Sequence, residues 1–126
     1  MDLFNKLRQR ISIEIPVNVF LQNKSTGKIS SRHVTGTLVN LSKVGACIIF
    51  TKILLDGSHL FFTSQEQAEN NLILKDLLIT EDVQWVVASA VWMDICTYNQ
   101  QPSFKMGIKF QEDQKELYTT LKAKPQ

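Results

Sequence analysis

Three cationic side chains lie close together near the start of the chain, in the run Lys6-Leu7-Arg8-Gln9-Arg10. A guanidinium presents a planar fork of donors that pairs with phosphate or with the acceptor edge of a base, whereas the ammonium of Lys6 supplies a point charge. Further along, Asn40-Leu41-Ser42-Lys43-Val44-Gly45 places an Asn-x-Ser-x-x-Gly turn between two apolar runs. Asn40 offers one neutral carbonyl oxygen and an NH2, Ser42 a hydroxyl, and Gly45 the freedom for a positive φ and a close backbone approach. Turn chemistry alone also accounts for these residue types. Trp92 carries a flat face suited to stacking on a ring, although an aromatic in an apolar strand more often belongs to the core. Trp85, seven residues earlier and on the opposite parity, is expected on the other side of the same strand, as packing or a partner surface.

Other chemistries find little support. His33 and His59 have no carboxylate or cysteine at triad or metal spacing, and no glycine loop is built to cradle phosphate, so neither an enzyme nor a metal site is expected. Cys47 and Cys96 lie far apart in apolar runs and read as two reduced core cysteines. The net charge of +2 provides no broad field for nucleic acid or anionic lipid, so an anion site must be local. Basic residues are scattered and little interleaved with aromatics, which argues against single-strand nucleic acid binding. No run is long and apolar enough for an export signal or a membrane span, and a cytoplasmic location is expected.

The elements that must position these groups are mostly strands. At 126 residues with 44% hydrophobic content, one domain with its own core is expected over residues 11–126, preceded by a basic arm at 1–10. Ile11, Ile13, Ile15, Val17 and Val19 alternate with polar residues, which marks a half-buried strand with Pro16 at an edge or bulge. A second strand is expected from about Ile29 to Val39, a third at Ala46–Phe50, and a fourth at His59–Thr63 after the turn Leu55-Asp56-Gly57. Residues 64–71 read as loop or helical turn, and Leu72–Ile79 fits a short helix or a strand equally. Val83–Ile95 is a long strand with Val83, Trp85, Val87, Ser89, Val91 and Met93 on one face. Phe104, Met106, Ile108 and Phe110 mark the last strand. Acidic residues early and lysines late suit a helix over about 111–123, with Leu117 and Leu121 one turn apart. The fold class is mainly β: a small antiparallel β-barrel of about six strands with a C-terminal α-helix.

The order of parts resembles that of PilZ domains, bacterial receptors for the second messenger cyclic di-GMP. Those parts are the basic segment, two strands, the Asn-x-Ser-x-x-Gly turn, Gly57 before the next strand, Ala90-Val91-Trp92, Met106-Gly107-Ile108-Lys109-Phe110 and a terminal helix. The resemblance spans about Lys6 to Leu121. It implies a ligand site of Lys6, Arg8, Arg10, Asn40, Ser42, Gly45 and Trp92. Arg10 matches the second arginine of the family's Arg-x-x-x-Arg motif; Lys6 stands in place of the first and lacks its fork, and Arg8 is the candidate substitute. Asn40 stands where the family uses Asp or Asn, and Trp92 at an apolar position near the ligand.

The resemblance further implies a receptor that changes conformation on binding cyclic di-GMP and so regulates a protein partner in motility, pili or biofilm formation. No other cofactor is expected. The alternative is a degenerate adaptor that binds a protein partner without nucleotide. Lys6 favours it, as does the long 64–82 segment, which could present Leu72, Leu74 or Leu77.

Overall fold

The computed structural model describes residues 10–75 and 85–123. Six strands close into an antiparallel barrel in the order β1 (Ile11–Asn23), β2 (Val34–Leu41), β3 (Gly45–Phe50), β8 (Gln101–Phe110), β7 (Trp85–Tyr98) and β6 (Asn70–Lys75). A two-residue hairpin, β4 (Leu54–Leu55) and β5 (Ser58–His59), stands apart from it. One helix, α1 (Lys115–Ala123), follows the last strand. Among the described residues no helix is long and apolar enough to cross a membrane.

The alternation in β1 works as expected: Ile13, Val17, Val19 and Leu21 are buried, with Ile11 and Ile15 packed against the same core. This strand is long because it serves two neighbours. Its first half pairs with β2 and residues 18–23 pair with β6. Pro16 falls in the half that β6 does not reach, where its missing N–H leaves no ladder bond unmade on that side.

The ambiguous apolar run is resolved as strand. Leu72, Ile73 and Leu74 are fully buried in β6, which joins β1 to β7 and closes the ring. Leu72 and Leu74 are therefore core side chains, contrary to the suggestion that they meet a partner; Leu77 lies outside the described residues. A run apolar on both faces carries no period, so only the pairing decides between helix and strand.

Two further strand expectations are corrected. The second strand starts at Val34, because Ile29 makes only an isolated bridge to Gln22 and Ser30 bonds back to Leu21 through both backbone and hydroxyl. The expected strand at His59–Thr63 stops at His59. There Nδ1 accepts the Phe61 and Phe62 N–H groups at 3.2 and 3.3 Å, and the carbonyl takes the Thr63 N–H and hydroxyl. A side chain that satisfies the next amides in a turn offers the backbone an alternative to a ladder. Cys96 is also no core residue: it is half-buried on the outer part of β7.

Helix α1 starts later than expected, at Lys115. Leu117, Tyr118 and Leu121 join the barrel core. The helix is anchored at the β2–β3 turn, where the Gln114 N–H donates to the Lys43 carbonyl at 2.7 Å and the Lys43 ammonium lies 5.6 Å from the Tyr118 ring centre.

Strands β7 and β8 run past the end of β3 as a two-stranded arm, joined at Asn99 and Gln100 with φ of 49° and 66°. Two positive-φ residues between paired strands make the tight turn whose twist suits a hairpin, and glycine is the preferred second residue. Gln100→Gly is expected to raise unfolding stability by about 1 kcal/mol, since a side chain in the left-handed region costs about that much; chemical denaturation reads it. Leu74→Ala should lower stability by about 3 kcal/mol, the cost of a cavity in a packed core. A change under about 0.5 kcal/mol would mean that Leu74 is a surface residue after all.

Candidate functional site

Strand β2 turns its even-numbered residues Val34, Gly36 and Leu38 into the core. Continued alternation would bury Asn40 as well. Instead the register slips: Leu38 faces Ile48 while Asn40 faces Cys47, two residues of β2 against one of β3. A bulge of this kind re-aims the next side chain, and it brings Asn40 to the outer surface. Strand β7 repeats the device. Val86, Ala88 and Ala90 point inward, the register slips at Val91, and Trp92 comes to lie opposite Gly107.

The two slips create one continuous outward row across the sheet. Ser12 is opposite Asn40, Asn40 opposite Cys47, Cys47 opposite Gly107, and Gly107 opposite Trp92. Residues directly opposite share a face. The next row, Ile11, Leu41, Ala46, Ile108 and Ala90, points into the barrel. Trp85 and Trp92 are consequently both on the outside, where simple parity had put them on opposite sides. The face expected for Trp85, Val87 and Ser89 is likewise the outer one, and the smaller Val86, Ala88 and Ala90 fill the core.

Gly107 explains how a tryptophan fits there. A Cβ at position 107 would stand 2.1 Å from Trp92 Nε1 and 2.2 Å from Cε2, so the indole rests directly on the β8 backbone. Trp92 is 41% exposed, which leaves part of it open to solvent.

Cations gather round this row. Arg10 is exposed and immediately precedes Ile11, which pairs with Leu41. Burial pushes the Cys47 thiol above its ordinary value, the Lys105 charge pulls it down, Cys96 raises it and Arg10 lowers it. The guanidinium and the Lys105 ammonium are thus both electrostatically coupled to the middle of the row. Lys109, opposite Gly45, flanks it on the other side. Lys6 and Arg8 lie outside the described residues.

Ser42 and Gly45 occupy a different position. The Ser42 hydroxyl accepts the Val44 and Gly45 N–H groups, both at 3.2 Å, and donates to the Gly45 carbonyl at 3.3 Å. It is 1% exposed, so its hydrogen bonding is spent inside the turn. Gly45 is not a positive-φ glycine; those are Gly27 and Gly57. Its lack of a side chain matters because a Cβ would lie 2.3 Å from the Ile108 carbonyl oxygen.

The arm formed by β7 and β8 shapes the surroundings. The Tyr98 hydroxyl, near its tip, donates to the Glu14 carboxylate on β1. That carboxylate is the main reason the phenol is held above its ordinary pKa. The contact cannot run through β6, which meets β1 at 18–23 and β7 at 85–88. The arm therefore bends back over the outer faces of β3 and β2. Outward-facing Cys47 and Ile49 are accordingly buried, and Cys96 on the arm is coupled to Cys47. Cys47 is thus covered in the middle of the row, with Asn40, Trp92 and Arg10 around it. A separate cleft of about 560 Å³, lined by Leu21, Lys28, Ser30, Leu55 and Asp56 among others, shares no residue with this row.

Sequence reasoning missed Cys47, Lys105, Gly107 and the Glu14–Tyr98 pair as parts of this surface. Only Gly107 left a trace, as a glycine inside an otherwise regular strand, a sign of close approach.

No protein-family model matches the sequence, and no curated protein does. Among solved structures, the chain is similar to K. pneumonia MrkH in its apo state, with a TM-score of 0.52 and 14% identity over 91% of this chain and 47% of that one. It is also similar to the Bacillus subtilis inhibitor of motility MotI/DgrA, with a TM-score of 0.51 and 17% identity over 91% of this chain and 48% of that one. The chain thus spans about half the length of each. These likenesses support a PilZ-like fold.

The turn geometry leads to a stability test. Gly45→Ala should destabilise the protein by about 2 kcal/mol, because its methyl meets a backbone carbonyl that cannot swing away. Ser42→Ala should cost about 1 kcal/mol from the lost turn bonds. Thermal or urea unfolding of both variants checks the order; equal and negligible effects would show the turn to be unconstrained.

Proposed function

We propose that the chain is a cyclic di-GMP receptor whose ligand lies along the outward row. The observation that carries this reading is that two independent bulges bring Asn40 and Trp92 onto one face, at the end where Arg10 emerges. A guanine dinucleotide has two phosphates and two flat bases with polar edges. Arg10 supplies a fork for phosphate or for N7 and O6 of guanine, and Lys105 and Lys109 add positive potential. Trp92, held flat on Gly107, offers a stacking surface whose position is set before the ligand arrives. Asn40 presents an amide to a base edge, weaker than a carboxylate for the guanine N1 and N2 hydrogens.

In this reading Ser42 and Gly45 act through the turn that holds Asn40. Lys6 and Arg8, four and two residues before Arg10, are the further cations this reading assigns to the ligand. Binding changes the surface offered to a protein partner, and no bond is made or broken. The likeness to the Bacillus subtilis inhibitor of motility supports a regulatory role of this kind in motility; pilus and biofilm systems are the other settings this reading allows.

Isothermal titration with cyclic di-GMP tests the proposal. The wild type should bind, and Arg10→Ala should weaken binding by about tenfold to a hundredfold, the equivalent of one charge-assisted contact. Trp92→Ala should weaken it by a similar factor with an unchanged melting temperature. Lys6→Arg should tighten it by restoring the fork. No heat and no thermal stabilisation at high micromolar nucleotide would overturn the receptor reading, because a ligand specific for the folded state must stabilise it.

A further inference from the structure

Asp94 stands on the outward face beside Trp92. After the slip at Val91 the register of β7 on β8 is regular: Trp92 faces Gly107, Met93 faces Met106 and Asp94 faces Lys105. Met106 is wholly buried in the core, so its neighbours Gly107 and Lys105, with their partners Trp92 and Asp94, point outward. Among the described residues the six barrel strands carry two acidic side chains, Glu14 and Asp94. Glu14 accepts the Tyr98 hydroxyl. Asp94 is exposed and, among the described residues, has neither a hydrogen bond nor an ion pair, even to Lys105 across the ladder.

A carboxylate among Arg10, Lys105 and Lys109 opposes their attraction for a dianion, and it lowers affinity unless it makes a contact of its own. The nucleotide of the reading above offers such a contact. Guanine shows N1–H and the N2 amine side by side on one edge, two donors that match the two oxygens of a carboxylate, whereas Asn40 has one carbonyl oxygen for them. The reach also agrees. Side chains two apart on a strand stand about 6.6 Å apart, a span filled by half a purine on the Trp92 ring plus a hydrogen bond of about 2.9 Å from its edge.

We infer that Asp94 reads guanine in this site, accepting N1–H and the N2 amine of the base stacked on Trp92. The inference rests on the cyclic di-GMP reading and adds to it a choice among bases. Adenine has a lone pair at N1 and no N2 amine, so cyclic di-AMP sets a lone pair against the carboxylate. Inosine keeps N1–H and lacks the amine, so cyclic di-IMP retains one of the two bonds.

Isothermal titration of the wild type and Asp94→Ala with these three nucleotides tests it. The wild type should bind cyclic di-AMP about tenfold to a hundredfold more weakly than cyclic di-GMP, with cyclic di-IMP between them. Asp94→Ala should weaken cyclic di-GMP by about tenfold or more and narrow both gaps, with an unchanged melting temperature in the absence of ligand. The sign of the change separates the alternatives. If Asp94 meets only solvent or Lys105, removing its charge strengthens the pull on the phosphates, and Asp94→Ala tightens all three nucleotides. Tightening, unchanged affinity, an undiminished preference for guanine in the variant, or no such preference in the wild type overturns the inference and leaves the receptor reading standing. A wild type that binds none of the three overturns both.

Discussion

A strand gives alternate residues to alternate faces, and the candidate site exists because β2 and β7 each break that rule once. Unbroken alternation would send Asn40 and Trp92 into the barrel, where a polar amide and an indole N–H would need buried partners. With one extra residue at each slip, the positions before and after keep their core contacts while Asn40 and Trp92 come outside. Neighbouring inward rows remain filled by Leu38, Ile48 and Met106 on one side and by Leu41, Ala46 and Ile108 on the other. The core is thus undisturbed by the surface chemistry laid between its rows.

That separation explains why the residues that hold the turn and those of the candidate site are interleaved but distinct. Ser42 and Gly45 lie only a few residues from Asn40, yet their chemistry is used up in closing the turn and passing the Ile108 carbonyl. The same turn anchors α1 through Lys43. The β2–β3 turn and the terminal helix are therefore physically linked. Overall charge plays little part: a net +2 is consistent with a local cluster of Arg10, Lys105 and Lys109 acting at short range.

Much of this architecture was legible in the sequence because period-two alternation is strong in β1 and β8 and the terminal amphipathic helix is distinct. Strand β6 was not, because Leu72-Ile73-Leu74 has no polar member to reveal a period. The long arm was cut short at Ile95 because its turn, Asn99-Gln100, lacks the glycine that advertises a hairpin. Parity in β7 misled beyond Ala90, since a bulge has no reliable residue signature and depends on the partner strand. Of the Asn40 to Gly45 segment expected as a turn, Asn40 and Leu41 continue β2 and Gly45 opens β3, so that only residues 42–44 reverse the chain; its glycine answers a close approach and not a positive φ. That Cys47 is buried on the outer face of the sheet could not be read at all, for an apolar strand says which residues are buried and not on which side.

The bond between Tyr98 and Glu14 has a kinetic meaning. On the proposed reading, a ligand on the outer row arrives and leaves at a rate set by movement of the bent-back arm as well as by its contacts with the row. Strength of binding and duration of binding are then governed by different residues. On that reading Asn40, Trp92 and Arg10 bear on the first, while Tyr98 and Glu14, which tie the arm to β1, bear on the second. For the proposed receptor, that division lets the lifetime of the response change without any change in the concentration at which it begins.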